Sequence, residues 1–178
     1  MSAIVCFATA VTVHAQKATS GPLSADLVYR IQSAPDAQVF ITENDEHNLV
    51  VAPQDNARRQ FWKFIPVEGQ QDVYYVQNTA THRYLASTIA TGEAGKTAIT
   101  TSNMPVAYFV APNAKAKTAG AWTLSSTDVP NYSDRSKTPM GLNRKGGTSL
   151  VVAWQAGNNN VNSYWWPVAT TDTYEVRP

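Results

Sequence analysis

The chain has 178 residues, a formal net charge of +1 and only 15% charged residues. Its length suits one domain of roughly 100–200 residues, large enough to bury a core without disulfide staples. Lys and Arg are scattered and form no basic stripe, which excludes a nucleic-acid backbone as the expected partner.

Ala3 to Val13 is apolar and uncharged, and Val13-His14-Ala15 offers the small residues a signal peptidase reads before Gln16. Residues 1–15 are therefore expected to be a secretory signal peptide, making the protein secreted. No Lys or Arg follows Met1, and the competing reading is an apolar N-terminal strand. The run is too short for the ~20 residues of a membrane helix, and no later segment is expected to span a membrane. Cys6, the only cysteine, falls inside this segment, so the mature chain is expected to hold neither a disulfide nor a cysteine metal site.

Residues 16–26 are small and polar and read as a flexible leader. From Leu27 the pattern becomes short apolar runs of period two broken by Asn, Asp, Gly and Pro, the signal of strands. Residues 27–169 form the predicted domain and 170–178 a polar tail. The first set of expected strands is Leu27–Ile31, Val39–Ile41, Leu49–Ala52 and Phe61–Phe64. The second is Val73–Val76, Arg83–Ala86, Thr97–Thr100 and Ala107–Val110. The third is Ala121–Leu124, Met140–Asn143, Leu150–Ala153 and Trp165–Val168. Almost no helix is expected. Twelve strands would leave few open edges if six closed a barrel and six capped it.

The three sets share an internal plan of about 45 residues. An asparagine stands six residues before an aromatic in Asn56 to Trp62, Asn103 to Phe109 and Asn160 to Trp166. Asn48-Leu49-Val50-Val51-Ala52-Pro53 answers to Ser149-Leu150-Val151-Val152-Ala153-Trp154. The aromatics read as three equivalent core plugs, and the asparagines as turn residues bonding their own backbone. The second set carries an extension at Gly92 to Gly95. The third carries a polar insertion, about Ser125 to Thr138, with the N-glycosylation sequon Asn131-Tyr132-Ser133.

Little here advertises catalysis. His47 and His82 sit in turns without a spaced partner and read as solvated imidazoles; no metal-ligand spacing exists. Glu43-Asn44-Asp45-Glu46 lacks the glycine of a calcium loop and reads as a charged hairpin tip. No cofactor and no enzymatic activity are expected.

Gln60-Phe61-Trp62 matches the Gln-x-Trp signature of the ricin-B-type lectins, and Val76-Gln77-Asn78 followed by Thr81 and Tyr84-Leu85 resembles a second stretch of that family's wording. Over about Leu27 to Ala169 the chain resembles a cysteine-free, fungal-like member. The resemblance implies an all-β protein, a β-trefoil with twelve strands in three pseudo-symmetric lobes, and glycans or glycoproteins as partners. It also implies a shallow sugar pocket in a lobe, built from an aspartate near the second strand, an aromatic ending the third, and an Asn-Gln pair before the closing tryptophan. A sugar has an apolar C–H face and a ring of directional hydroxyls, so flat aromatic and planar polar groups suit it.

Carried over, the aromatic is Trp154 in lobe three, followed by Gln155, and Asn143 stands in for the aspartate. The pair falls at Ser163 and Tyr164, with Asn160 and Asn162 nearby. Lobe one keeps Gln60 with Asp55 and Asn56, but has Pro53 in the aromatic's place. Lobe two offers Thr101 and Asn103. The competing reading of Trp154 is a ring packed under the loop Gln155 to Asn162. The competing function is a β-trefoil protease inhibitor presenting Arg58-Arg59, Arg135, Lys137 or Lys145 on a loop. An effector binding a membrane protein or glycoprotein, and a trefoil that binds nothing, are further readings.

Overall fold

The computed structural model describes residues 22–55, 57–89 and 94–170. Among them are twelve strands, three 3-10 turns and no α-helix. In chain order the strands are β1 (Tyr29–Ser33), β2 (Asp36–Glu43), β3 (Leu49–Pro53), β4 (Trp62–Pro66), β5 (Val73–Asn78), β6 (Tyr84–Leu85), β7 (Thr101–Ser102), β8 (Ala107–Pro112), β9 (Trp122–Ser126), β10 (Met140–Arg144), β11 (Val151–Gln155) and β12 (Trp165–Ala169). β1 pairs with β12, β12 with β9, β9 with β8, β8 with β5, β5 with β4, and β4 again with β1. That circuit closes a six-stranded antiparallel barrel, which removes its edges. The remaining six strands form the hairpins β2–β3, β6–β7 and β10–β11. Alternation explains the local structure: on β4, Trp62 and Phe64 point inward while Lys63 is exposed.

The three hairpins bond to one another in a ring. Isolated bridges join Asn48 to Thr100, Ala98 to Val152 and Leu150 to Val50. Leu49 N donates to Ile99 O at 2.7 Å, and Ile99 N to Val151 O at 2.8 Å. Leu49, Ile99 and Val151 thus hold matching buried places. The expected alignment of Asn48 with Ser149 is one residue out, because the ring matches Asn48 to Leu150. A continuous apolar run hides such a slip in sequence, whereas hydrogen-bond register cannot. The expected strand Thr97–Thr100 likewise pairs with the neighbouring hairpins, and its own hairpin is made by Thr101–Ser102.

The core plugs are Trp62, Tyr108 and Trp165, not Trp62, Phe109 and Trp166. Trp62 Nε1 donates to Ile41 O at 3.2 Å and Trp165 Nε1 to Leu142 O at 3.0 Å. Tyr108 OH donates to Ala86 O, and all three rings are fully buried. Pleating turns the next residue away from the core, leaving Phe109 and Trp166 half-buried. The asparagine spacing therefore has no common role. Asn160 bonds its own backbone as expected, Asn103 Oδ1 accepts from Arg83 Nη1, and Asn56 lies outside the described residues.

Glu43 is not at a charged tip. It ends β2 fully buried, accepting from Thr81 Oγ1 at 2.7 Å and Thr101 Oγ1 at 2.9 Å. His47 is accordingly not a free imidazole, because its Nδ1 lies 2.7 Å from Glu43 Oε1. At the near end of the domain, Leu23 from the expected leader joins the core, and Ser24 N donates to Tyr29 OH at 2.9 Å. The expected signal peptide, Cys6 and the tail beyond Thr170 lie outside the described residues.

Candidate ligand-binding cleft

β11 sets the place of Trp154. Opposite it on β10 stands Gly141, and directly opposed residues share a face, so nothing covers the ring from there. Gly141 is required: a Cβ on it would lie 2.6 Å from Leu124 O and 2.7 Å from Ala156 Cβ. Gly95 of the neighbouring hairpin, at φ +75°, backs the indole. A Cβ there would meet the ring Cε3 at 2.8 Å. Gly95 N also donates to Ala153 O at 3.1 Å. Trp154 remains 42% exposed.

Past β11 the loop is fastened from beneath. Asn160 Nδ2 donates to Gln155 O at 2.5 Å, while its Oδ1 accepts from Asn162 N and caps the turn Val161–Ser163. Ser163 Oγ donates to Gln155 O at 3.1 Å and accepts from Asn143 Nδ2 at 2.8 Å. The buried Tyr164 donates its hydroxyl to Asn158 O.

The insertion makes the facing wall, and Arg135 anchors it. Its Nη1 donates to Ser125 Oγ at 3.1 Å and Tyr132 O at 3.0 Å, and its Nη2 to Thr123 O at 3.1 Å. The guanidinium lies 4.9 Å from the Phe109 ring centroid, a cation–π geometry. Burial lowers its pKa to about 10. Asp134 caps the turn Arg135–Lys137, accepting from Ser136 N at 2.9 Å and Ser136 Oγ at 2.6 Å. Those bonds hold its carboxyl below the ordinary value. The two walls touch where Gly157 meets Thr138, since a Cβ on Gly157 would lie 2.5 Å from Thr138 Cγ2.

Between them lies a cleft of about 510 Å³. Trp154, Gln155 and Asn158 to Asn160 line one side; Ser136 and Thr138 line the other. The lining residues include no carboxylate or imidazole. Carboxamides both donate and accept, hydroxyls do the same, and an aromatic face meets C–H groups, so the cleft suits a polyhydroxylated ring.

Of the residues expected from sequence, Trp154, Gln155 and Asn160 come together here, although the Asn160 amide is spent on its own loop. Asn162 is half-buried beside it. Asn143, Ser163 and Tyr164 lie beneath the cleft rather than in its lining, all three buried and bonded inward. The same holds in the first hairpin for Gln60. It is fully buried, donating to Pro53 O at 2.7 Å and Thr42 Oγ1 at 3.1 Å. Asp55 is exposed, but its Oδ1 accepts from Ala57 N at 2.8 Å. Asn56 lies outside the described residues. The residue matching Trp154 is Ala52, not Pro53, by the register of the ring. Sequence reasoning missed Ser136, Thr138, Asn158 and Asn159; the signal was the run Gly157-Asn158-Asn159-Asn160 close after an aromatic.

No protein-family model matches the sequence, and no curated protein matches it. Solved structures do. The Polyporus squamosus lectin, bound to a human-type influenza-binding epitope, matches with TM-score 0.62 and 22% identity over 82% of this chain and 50% of that one. The chain therefore spans half the length of that lectin. The Macrolepiota procera ricin B-like lectin, in complex with lactose, matches with TM-score 0.65 and 13% identity over 84% of this chain and 100% of that one. The BEL β-trefoil matches with TM-score 0.62 and 10% identity over 86% and 100%. At such identities the likeness is one of fold: the chain is an all-β protein with the β-trefoil architecture of these proteins.

Proposed function

We propose that the protein is a secreted, non-enzymatic carbohydrate-binding protein of the ricin B-like lectin type, with its binding site in the cleft at Trp154. The observation that carries this reading is the indole itself: a large ring 42% exposed, backed by glycine, beside carboxamides and hydroxyls. Burial is the default for such a ring, so an open one placed next to planar polar groups supports a stacking role. The fold-level neighbours include a lectin in complex with lactose and one bound to a sialylated epitope. We take glycans or glycoproteins as the partners and the twelve strands as three lobes of four, each contributing one hairpin to the ring. One live site is expected, since Ala52 and Ser102 stand where the third hairpin has Trp154.

The protease-inhibitor reading loses one of its candidate residues. Arg135 is turned inward onto Thr123, Ser125 and Phe109 and cannot enter a protease pocket.

A glycan array probed with the wild-type chain and Trp154→Ala tests the proposal. Wild type is expected to bind at least one glycan class and the variant none. Binding that survives Trp154→Ala moves the site elsewhere, and an array silent to wild type refutes the lectin reading.

A further inference from the structure

We propose that Asn131 is an N-glycosylation site. Asn131-Tyr132-Ser133 is the one Asn-x-Ser/Thr sequence in the chain with a non-proline centre. The fold places it as modification requires. Val129 is buried at 3% exposure and the Tyr132 ring packs edge-on to Phe109 at 5.9 Å. Arg135 then ties the next turn to the barrel, accepting no freedom from the loop because it bonds the Tyr132 carbonyl itself. Pinned by these contacts, the loop turns Asn131 and Ser133 outward, and both are exposed. Asn131 has φ +56°, a left-handed conformation that asparagine tolerates, and its carbonyl accepts from Asp134 N at 2.9 Å. The backbone of Asn131 thus shapes the turn while its carboxamide is left to solvent.

In the modification, Asn131 Nδ2 forms a bond to C1 of an oligosaccharide donated by a lipid-linked pyrophosphate. The C1–O bond breaks, the lipid pyrophosphate leaves, and one amide proton is lost to base. The glycan would stand on the insertion that also walls the cleft, outside the cleft itself. The inference is independent of sugar binding at Trp154, and it requires entry into the secretory pathway.

The structure also fixes how to test it. Asn131→Gln would strain a left-handed residue, so the acceptor is better removed at Ser133, which lies exposed at ordinary φ. The full chain with its own N-terminus is expressed in a secreting eukaryotic host as wild type, Ser133→Ala and Ser133→Thr, and its mass is read before and after peptide-N-glycosidase. A parallel culture carries the chain behind the host's own secretion leader. Wild type and Ser133→Thr are expected to lose mass on digestion, with Asn131 converted to aspartate, while Ser133→Ala has none to lose and unfolds at the wild-type temperature. Unmodified wild type in the medium overturns the proposal, as does a mass loss retained in Ser133→Ala. Modification seen only behind the foreign leader overturns it for the natural chain, which then never reaches the enzyme.

Discussion

In the first hairpin Ala52 sits opposite a buried Phe40; in the third, Trp154 sits opposite Gly141 and stays open to solvent. Toward the barrel the two hairpins are nearly interchangeable. Trp62 bonds Ile41 O as Trp165 bonds Leu142 O, and Gln60 reaches Pro53 O as Ser163 reaches Gln155 O. The aromatic has changed strands between them. Where it lies on the second strand it is covered, and where it lies on the third, facing a glycine, it walls a cleft. A shared frame thus fixes the core while a single cross-strand pair decides which hairpin leaves an aromatic open to solvent.

The strongest way to break this comparison is at its shared half. Trp62→Ala and Trp165→Ala should each cost about 3–5 kcal/mol in urea unfolding, as for large buried rings. A Trp165→Ala variant as stable as wild type would end the equivalence. Next in size is the wall peculiar to the third hairpin. Arg135→Met removes three donors and leaves buried carbonyls unmet, at a cost of about 1–3 kcal/mol, and should open the insertion to trypsin at Lys137. Unchanged trypsin resistance would show that the insertion docks without it.

Trp154→Ala sharpens the contrast from the other side. It should change stability by less than about 1 kcal/mol, as an exposed substitution does, while abolishing glycan binding. A loss near that of Trp165→Ala would instead make the ring part of the core. The smallest effect concerns pH. The Asp134 carboxyl is held below its ordinary value, first by the Ser136 hydroxyl and then by the Ser136 amide. Its capping contribution is therefore complete above the ordinary carboxylate range and fades as pH falls through the lowered value. Protection of the amides in the turn Arg135–Lys137, taken relative to their intrinsic exchange at each pH, should fall under acid in wild type and stay level in Asp134→Asn.

Strand periodicity made the fold legible from Leu27 onward, because alternation and turn residues carry most of the information about an antiparallel sheet. Register was not legible. Val50-Val51 and Val151-Val152 read alike in either frame, and only the bonds among hairpins choose between them. The same one-residue ambiguity promoted Phe109 and Trp166 over Tyr108 and Trp165. At the cleft, Trp154 could be found because an aromatic ending an apolar strand is conspicuous. Ser136 and Thr138 could not, since they reach it from an insertion whose docking depends on Arg135, a residue that sequence alone offers equally as a surface cation. Glu43 failed for a similar reason: its partners Thr81 and Thr101 are remote in sequence.

The ring of hairpins has a bearing on how the molecule assembles and comes apart. Its bridges join residues 48 to 100, 98 to 152 and 50 to 150, so every one spans a long stretch of chain. Contacts of that separation slow the search for the native state, because loop entropy is lost before the bonds form. Once shut, however, the circle gives no terminal member to peel: releasing any hairpin strands peptide groups on both of its companions. Such an arrangement favours a protein that is tardy to form and tenacious afterwards, its lifetime set by a barrier more than by an equilibrium.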